Sequence, residues 1–223
     1  MDSNTGSPTL LMINTENITL LICAYLLGSI PSAVWVGRAF FGIDVREYGS
    51  GNAGATNTFR VLGPKAGVPV LLMDVAKGWM AVQLATYFGD YMPATQQFIN
   101  FKLVLGVAAL LGHIFPVFAG FRGGKGVATL LGILWGINPP AALVCLAVFI
   151  VIFFISGFVS LGSMSASLAF PFVVMLGFNE TVVSMNVFSV AVPILVLVTH
   201  QKNIERLLKG VESKVRLFGK KNA

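Results

Sequence analysis

Apolar residues run in long blocks along this chain, and the polar residues gather in the gaps between them. A helix of ~20 mostly apolar residues crosses the hydrocarbon core of a bilayer. The blocks predict helices over about 18–41, 66–88, 97–119, 126–137, 139–157, 161–178 and 182–200. The fourth is too short to cross squarely, and Asn138, Pro139 and Pro140 force a turn behind it. Residues 126–157 are therefore a broken pair of helices or a re-entrant hairpin. The expected fold is an all-α integral membrane protein of about seven transmembrane helices. A short extracytoplasmic lead (1–17), a seven-helix membrane domain (18–200) and a basic cytoplasmic tail (201–223) make up the chain.

Composition agrees with the pattern. Apolar residues are 56% of the chain and charged residues 11%, against roughly 25% charged in a soluble protein. The mean hydropathy is +0.82. A soluble nucleic-acid binder is excluded despite the net charge of +6, because seven of the fifteen Lys and Arg lie after His200. Cys23 and Cys145 sit in apolar runs and offer neither a disulfide framework nor a metal site. Residues 1–17 carry Asp2 and Glu16 but no cation, which does not fit a cleavable signal peptide.

Lys and Arg are retained on the cytoplasmic side of a membrane. The cation-free start is therefore placed outside, and Arg46, Arg60 and Lys65 place the first loop inside. Asp90 marks an outer loop, Arg122 and Lys125 mark an inner one, and the basic tail is cytoplasmic. An outside start and an inside end require an odd number of crossings, which favours seven over six.

Four polar constellations then fall at the cytoplasmic ends of the helices. The first holds Gly49, Ser50, Gly51, Asn52, Gly54, Thr56 and Asn57, with Arg60 just beyond. The glycines match G-x-G-x-x-G in spacing, but no strand precedes them, so a dinucleotide fold is rejected. Small residues still let backbone N–H groups approach an anion, and Ser50, Asn52, Thr56 and Asn57 add side-chain donors. Arg60 has the shape to grip a phosphate bidentately.

The second sets Lys125 among Gly123, Gly124 and Gly126. Ala119 and Gly126 break the Walker A spacing, so nucleotide hydrolysis is not supported. His113, near the end of a helix, reads as a packing residue. The third offers the hydroxyls of Ser160 and Ser163. The fourth places His200 and Asn203 on one helix face, with Arg206 and Lys209 directed to lipid head groups. Asp74 and Lys77 are opposite charges within a span, either paired with each other or with Asp74 holding Arg60 or Lys125 from behind. Anion donors without a carboxylate cluster suit phosphate groups.

At these residues the chain resembles the bacterial membrane glycerol-3-phosphate acyltransferases that use acyl phosphate as donor. The matching stretches are Gly49–Asn57 with Arg60, Leu72–Gly78, Gly112–Thr129, Ser160–Ser163 and His200–Gly210. Arg122 stands where Lys is expected in many relatives, and residues 1–17 have no obvious counterpart. The resemblance implies a seven-helix protein of the bacterial inner membrane, its site facing the cytoplasm, with no metal or organic cofactor. It implies transfer of an acyl group from acyl phosphate to the 1-hydroxyl of glycerol 3-phosphate, giving lysophosphatidic acid. Ser50, Arg60, Lys125 and His200 are then the expected catalytic residues. Gly51, Asn52, Gly54, Thr56, Asn57, Ser163 and Asn203 are expected to bind substrate, with Asp74 and Lys77 in support. The acyl chain is expected to leave sideways into lipid, and the soluble enzyme that makes acyl phosphate is a candidate partner. The competing class is a transporter of phosphate or a phosphorylated solute, which usually places its site near the bilayer midplane between repeated halves.

Overall fold

The computed structural model describes residues 14–93 and 95–214. The first part of the expected lead (1–13) and the last part of the tail (215–223) lie outside the described residues. Among those described, the chain forms ten α-helices and no strand. They are α1 (Thr15–Gly28), α2 (Ser32–Phe41), α3 (Ala55–Leu62), α4 (Pro64–Phe88) and α5 (Gln96–Ile114). After these come α6 (Val127–Ile137), α7 (Pro139–Ser156), α8 (Val159–Phe172), α9 (Val183–Thr199) and α10 (Gln201–Leu208).

Four helical stretches are long and apolar enough to cross a membrane: α4, α5 with its short following turn, α7, and α8 with the π-helical turn that continues it. The bent pairs α1–α2 (43°) and α9–α10 (63°) raise the number to six, and α6 is a shorter apolar helix. At 1.5 Å per residue α6 is only about 16 Å long, and Asn138 caps α7 behind it by accepting from the Ala141 N–H at 3.1 Å. The weak point in the sequence pattern is thus two separate helices, α6 and α7, that meet at Asn138.

Two expectations are corrected. The first block, 18–41, is not one helix: the chain breaks at Ser29–Pro31 because Pro31 has no N–H to give. At the break the Ile30 carbonyl accepts from Ser32 N at 3.0 Å and from Lys77 Nζ of α4 at 2.8 Å, and the Ser32 hydroxyl donates to Asp74 Oδ1 at 3.0 Å. Asp74 and Lys77 are themselves paired at 2.9 Å and almost fully buried. Asp74 is therefore engaged with Lys77 and Ser32, not with Arg60 or Lys125. The second correction is α3, an eight-residue helix within what reads from the sequence as loop.

Glycines bring two helix pairs to backbone contact. A Cβ on Gly132 would lie 1.9 Å from the Val75 carbonyl oxygen, and one on Gly78 would lie 2.2 Å from that of Thr129. The α4–α6 crossing is thus reciprocal. Gly28 and Gly112 do the same for α1 and α5, against Ala109 and Tyr25. Without a hydrophobic drive between helices in lipid, such close approach is what holds them together. Gly132→Ala is expected to force α4 and α6 apart at a cost of about 1–3 kcal/mol, measured as a lower unfolding midpoint in detergent. An unchanged midpoint would mean that the crossing is not tight.

Candidate active site

The loop before α3 is wired by one side chain. Asn57, 2% exposed, accepts from Ser50 N at 2.8 Å and from Ser50 Oγ at 3.1 Å. Its amide donates to the carbonyls of Val45 (2.8 Å) and Tyr48 (3.1 Å). The chain passes around it with Gly49 and Gly51 at φ +62° and +71°, backbone that L residues rarely adopt. Gly54 then opens α3, and Thr58 N is the first amide to bond back, to the Gly54 carbonyl. The N–H groups of Ala55, Thr56 and Asn57 have no intrahelical acceptor, and a helix start of this kind attracts anions.

The glycine loop lies beside it. Gly123 and Gly124 donate to the carbonyls of Ile114 and His113, and Ala53 N donates to the Gly123 carbonyl. A Cβ on Gly124 would sit 2.1 Å from His113 Nε2, so the buried His113 ring is the bed of this loop and only glycine fits over it. Arg46 ties the two loops together, with Nη1 donating to the Ala119 carbonyl at 2.7 Å and the Asp44 carboxylate 2.7 Å from its Nη2. The Arg46 side chain holds the Asp44 carboxyl far below the usual carboxylate range. Lys125 Nζ donates to Asn203 Oδ1, and Gly126, with φ +87°, starts α6.

His200 is the residue at which the chain bends from α9 into α10, so it and Asn203 do not share one continuous helix face as the sequence suggests. Both nevertheless face the same space. His200 Nδ1 lies 2.8 Å from the Val196 carbonyl. A carbonyl only accepts, so Nδ1 carries the proton and Nε2 of the neutral ring is left as an acceptor. Ser163 Oγ donates to the carbonyl of Val159 at 2.8 Å.

Glu212 is the residue sequence reasoning missed. Its carboxylate accepts from Asn203 Nδ2 (2.6 Å), Arg206 Nε (2.8 Å) and Ser160 Oγ (3.0 Å). A chain of contacts thus runs from Lys125 through Asn203 and Glu212 to Arg206. Arg206 is engaged by Glu212 at 2.8 Å, and Lys209 pairs with Glu205 at 2.6 Å on an exposed face. Burial pushes the Glu212 carboxyl up, but the hydrogen bonds from Asn203, Ser160 and Arg206 outweigh it and hold it below the usual range. Burial pushes the Lys125 ammonium down to about 8, against the pull of Glu212 and with added repulsion from Arg206 and Arg60.

All four constellations line one cavity of about 400 Å³. Ser50, Asn52, Gly54, Thr56, Asn57, Arg60, Lys125, Ser163, His200, Asn203 and Asp74 reach it; Gly51 and Lys77 do not. Gly51 shapes the turn and Lys77 serves the α1–α2 break. Below the polar end the walls become apolar, with Leu131 and Leu134 of α6, Phe149 and Phe153 of α7, Phe170 of α8 and Val192 of α9. Among the described residues no group of three His, Cys, Asp or Glu is placed to hold a metal ion.

Residues 18–210 match the family model described as glycerol-3-phosphate acyltransferase. A glycerol-3-phosphate acyltransferase of Chlorobium phaeobacteroides is 39% identical over 91% of this chain and 97% of its own length. One from Enterococcus faecalis is 43% identical over 89% and 91%. The fold is also similar to crystal structures of PlsY, an integral membrane glycerol 3-phosphate acyltransferase. Its glycerol 3-phosphate form has a TM-score of 0.77 at 37% identity, covering 90% of this chain and 96% of that one. Its lysophosphatidic acid form has a TM-score of 0.75 at 36% identity.

Asn57→Asp tests the wiring of the first loop. It sets a carboxylate oxygen against the carbonyls of Val45 and Tyr48, leaving buried acceptors without donors at about 1–3 kcal/mol each. Lower thermal stability and faster proteolysis around residues 48–54 are expected; wild-type resistance would contradict the role.

Proposed function

The chain belongs to the glycerol-3-phosphate acyltransferase family, and on that premise we propose that it moves a fatty acyl group from acyl phosphate to the 1-hydroxyl of sn-glycerol 3-phosphate. The products are 1-acyl-glycerol 3-phosphate (lysophosphatidic acid) and phosphate. One observation carries this reading: a single cavity joins cations and free helix-start N–H groups at one end to an apolar bore at the other. A phosphate transporter has no use for the bore.

An acyl phosphate is a mixed anhydride and already activated, so the protein supplies position and charge, not a nucleophile. The hydroxyl oxygen attacks the acyl carbon, the bond from that carbon to the phosphate oxygen breaks, and phosphate leaves with the electron pair. Ser50, Asn52, Gly54 and Thr56 hold the acyl-phosphate head, with Gly51 and Asn57 shaping the loop. Arg60, Lys125, Ser163, His200 and Asn203 hold glycerol 3-phosphate, and Asp74 and Lys77 support the frame. The hydroxyl proton goes to a substrate phosphate, whose second pKa is near ~6. His200 Nε2 then serves chiefly as an acceptor for a glycerol hydroxyl.

The same proposal includes seven crossings in the bacterial inner membrane, with residues 1–17 outside, the membrane domain over 18–200, and the site and tail 201–223 in the cytoplasm. A water-soluble enzyme that makes acyl phosphate is its supplier.

Purified protein given acyl phosphate and glycerol 3-phosphate tests the reading directly; absence of lysophosphatidic acid would refute it. Lys125→Ala and Arg60→Ala are each expected to lose about 2–5 kcal/mol of transition-state binding, a rate loss well beyond tenfold. Arg60→Lys recovers little, because an ammonium cannot form the bidentate fork. His200→Gln is expected to raise KM for glycerol 3-phosphate and keep appreciable kcat; a loss of kcat beyond ~10³-fold would make His200 the base. The pH dependence follows from Lys125. Its cation is intact below about 8 and is lost as pH rises through that value, so kcat/KM for glycerol 3-phosphate falls on the alkaline side. Lys125→Arg, always charged, is expected to remove that limb; an alkaline limb at the same pH would assign it to another group.

A further inference from the structure

The apolar bore has a floor. Phe170 of α8 and Phe188 of α9 meet edge to face with ring centroids 6.2 Å apart. They are only 3% and 9% exposed, and Val174 and Met185 are packed in the same core at 0% and 1%. The bore therefore ends at these two rings. Its side walls are smooth and apolar: Ser167, the hydroxyl-bearing side chain at that depth, donates its proton to the Met164 carbonyl of its own helix at 2.8 Å.

The depth is set by α9. From His200 at the polar end to Phe188 at the floor are twelve residues, or about 18 Å at 1.5 Å per residue. Each leaflet of a bilayer contributes about half of a ~30 Å hydrocarbon core. The bore thus has the length of one membrane-lipid acyl chain, with a rigid wall where that chain ends.

We propose that the Phe170–Phe188 pair limits the length of the acyl chain the enzyme transfers; this rests on the acyl-transfer reading above. A chain that stops short of the rings leaves apolar surface unburied, and a longer one has no room for its last carbons. Each methylene buried in the bore contributes roughly fourfold to kcat/KM, the equivalent of about 0.8 kcal/mol. The wild-type kcat/KM is therefore expected to climb with chain length to a maximum and then fall.

The experiment is a length series of saturated acyl phosphates, given to the purified full-length protein with saturating glycerol 3-phosphate. Phe170→Leu and Phe188→Leu lower the floor while keeping an apolar side chain, so their cost is that of lost volume and not of a buried polar group. Each is expected to move the maximum about two carbons longer, since each added methylene regains its burial. Val192→Phe narrows the bore above the floor and is expected to move the maximum shorter. In all three, KM for glycerol 3-phosphate stays near the wild-type value, which global damage would not allow. A length profile that is flat in the wild type, or the same in every active variant, overturns the proposal and leaves the acyl-transfer reading standing. Wild-type protein that makes no product from any acyl phosphate removes the reading and the proposal together.

Discussion

Lys77 reaches from α4 to the carbonyl of Ile30, and much of the site's geometry depends on that bond. Backbone polar groups at membrane depth must be satisfied within the protein. At this break the Ile30 carbonyl accepts from Ser32 N, and the buried Asp74–Lys77 pair supplies a second donor. Here α1 stops at Gly28 and α2 starts at Ser32 on a new axis. The change of axis directs the end of α2 into the loop that Asn57 and Arg46 fasten over the cavity. An ion pair that reads from the sequence as a possible catalytic support is thus structural, and it acts on the site through the path of the backbone.

The chemistry of the site rests on partial charges as much as on full ones. The starts of α3, α6 and α8 all contribute lining residues, and each start carries N–H groups without intrahelical acceptors. With Arg60 and Lys125 they give the polar end of the cavity a positive character, and Arg206 stands behind it, paired with Glu212. Glu212 there prevents the cations from repelling one another unchecked, and it fixes the Asn203 amide with its oxygen toward Lys125.

The all-helical apolar character, the helix break at Asn138 and the polar clusters were legible because each is written in neighbouring residues. The convergence of Ser50, Arg60, Lys125, Ser163, His200 and Asn203 on one cavity followed from their shared position at helix ends. What could not be read depends on distant partners. Pro31 marks a break whose partners Lys77 and Asp74 lie far along the chain. Asn57 resembles its donor-rich neighbours, yet its amide is engaged by the carbonyls of Val45 and Tyr48. Glu212 is one acid in a basic stretch, and nothing local distinguishes it from Glu205. The bend at His200 hides in a run that looks like continuous helix. The apolar bore was not legible either, because its lining residues have the same character as those that face lipid.

The glycine crossings divide the cavity wall into two kinds of material. Where α4 meets α6 and α1 meets α5, backbone touches backbone, and no side chain there can grow or shrink without moving a helix. The apolar part of the cavity is lined by side chains, Phe149 of α7, Phe170 of α8 and Val192 of α9 together with Leu131 and Leu134 of α6. That backbone frame consequently tolerates little sequence drift, whereas the apolar lining can change one residue at a time.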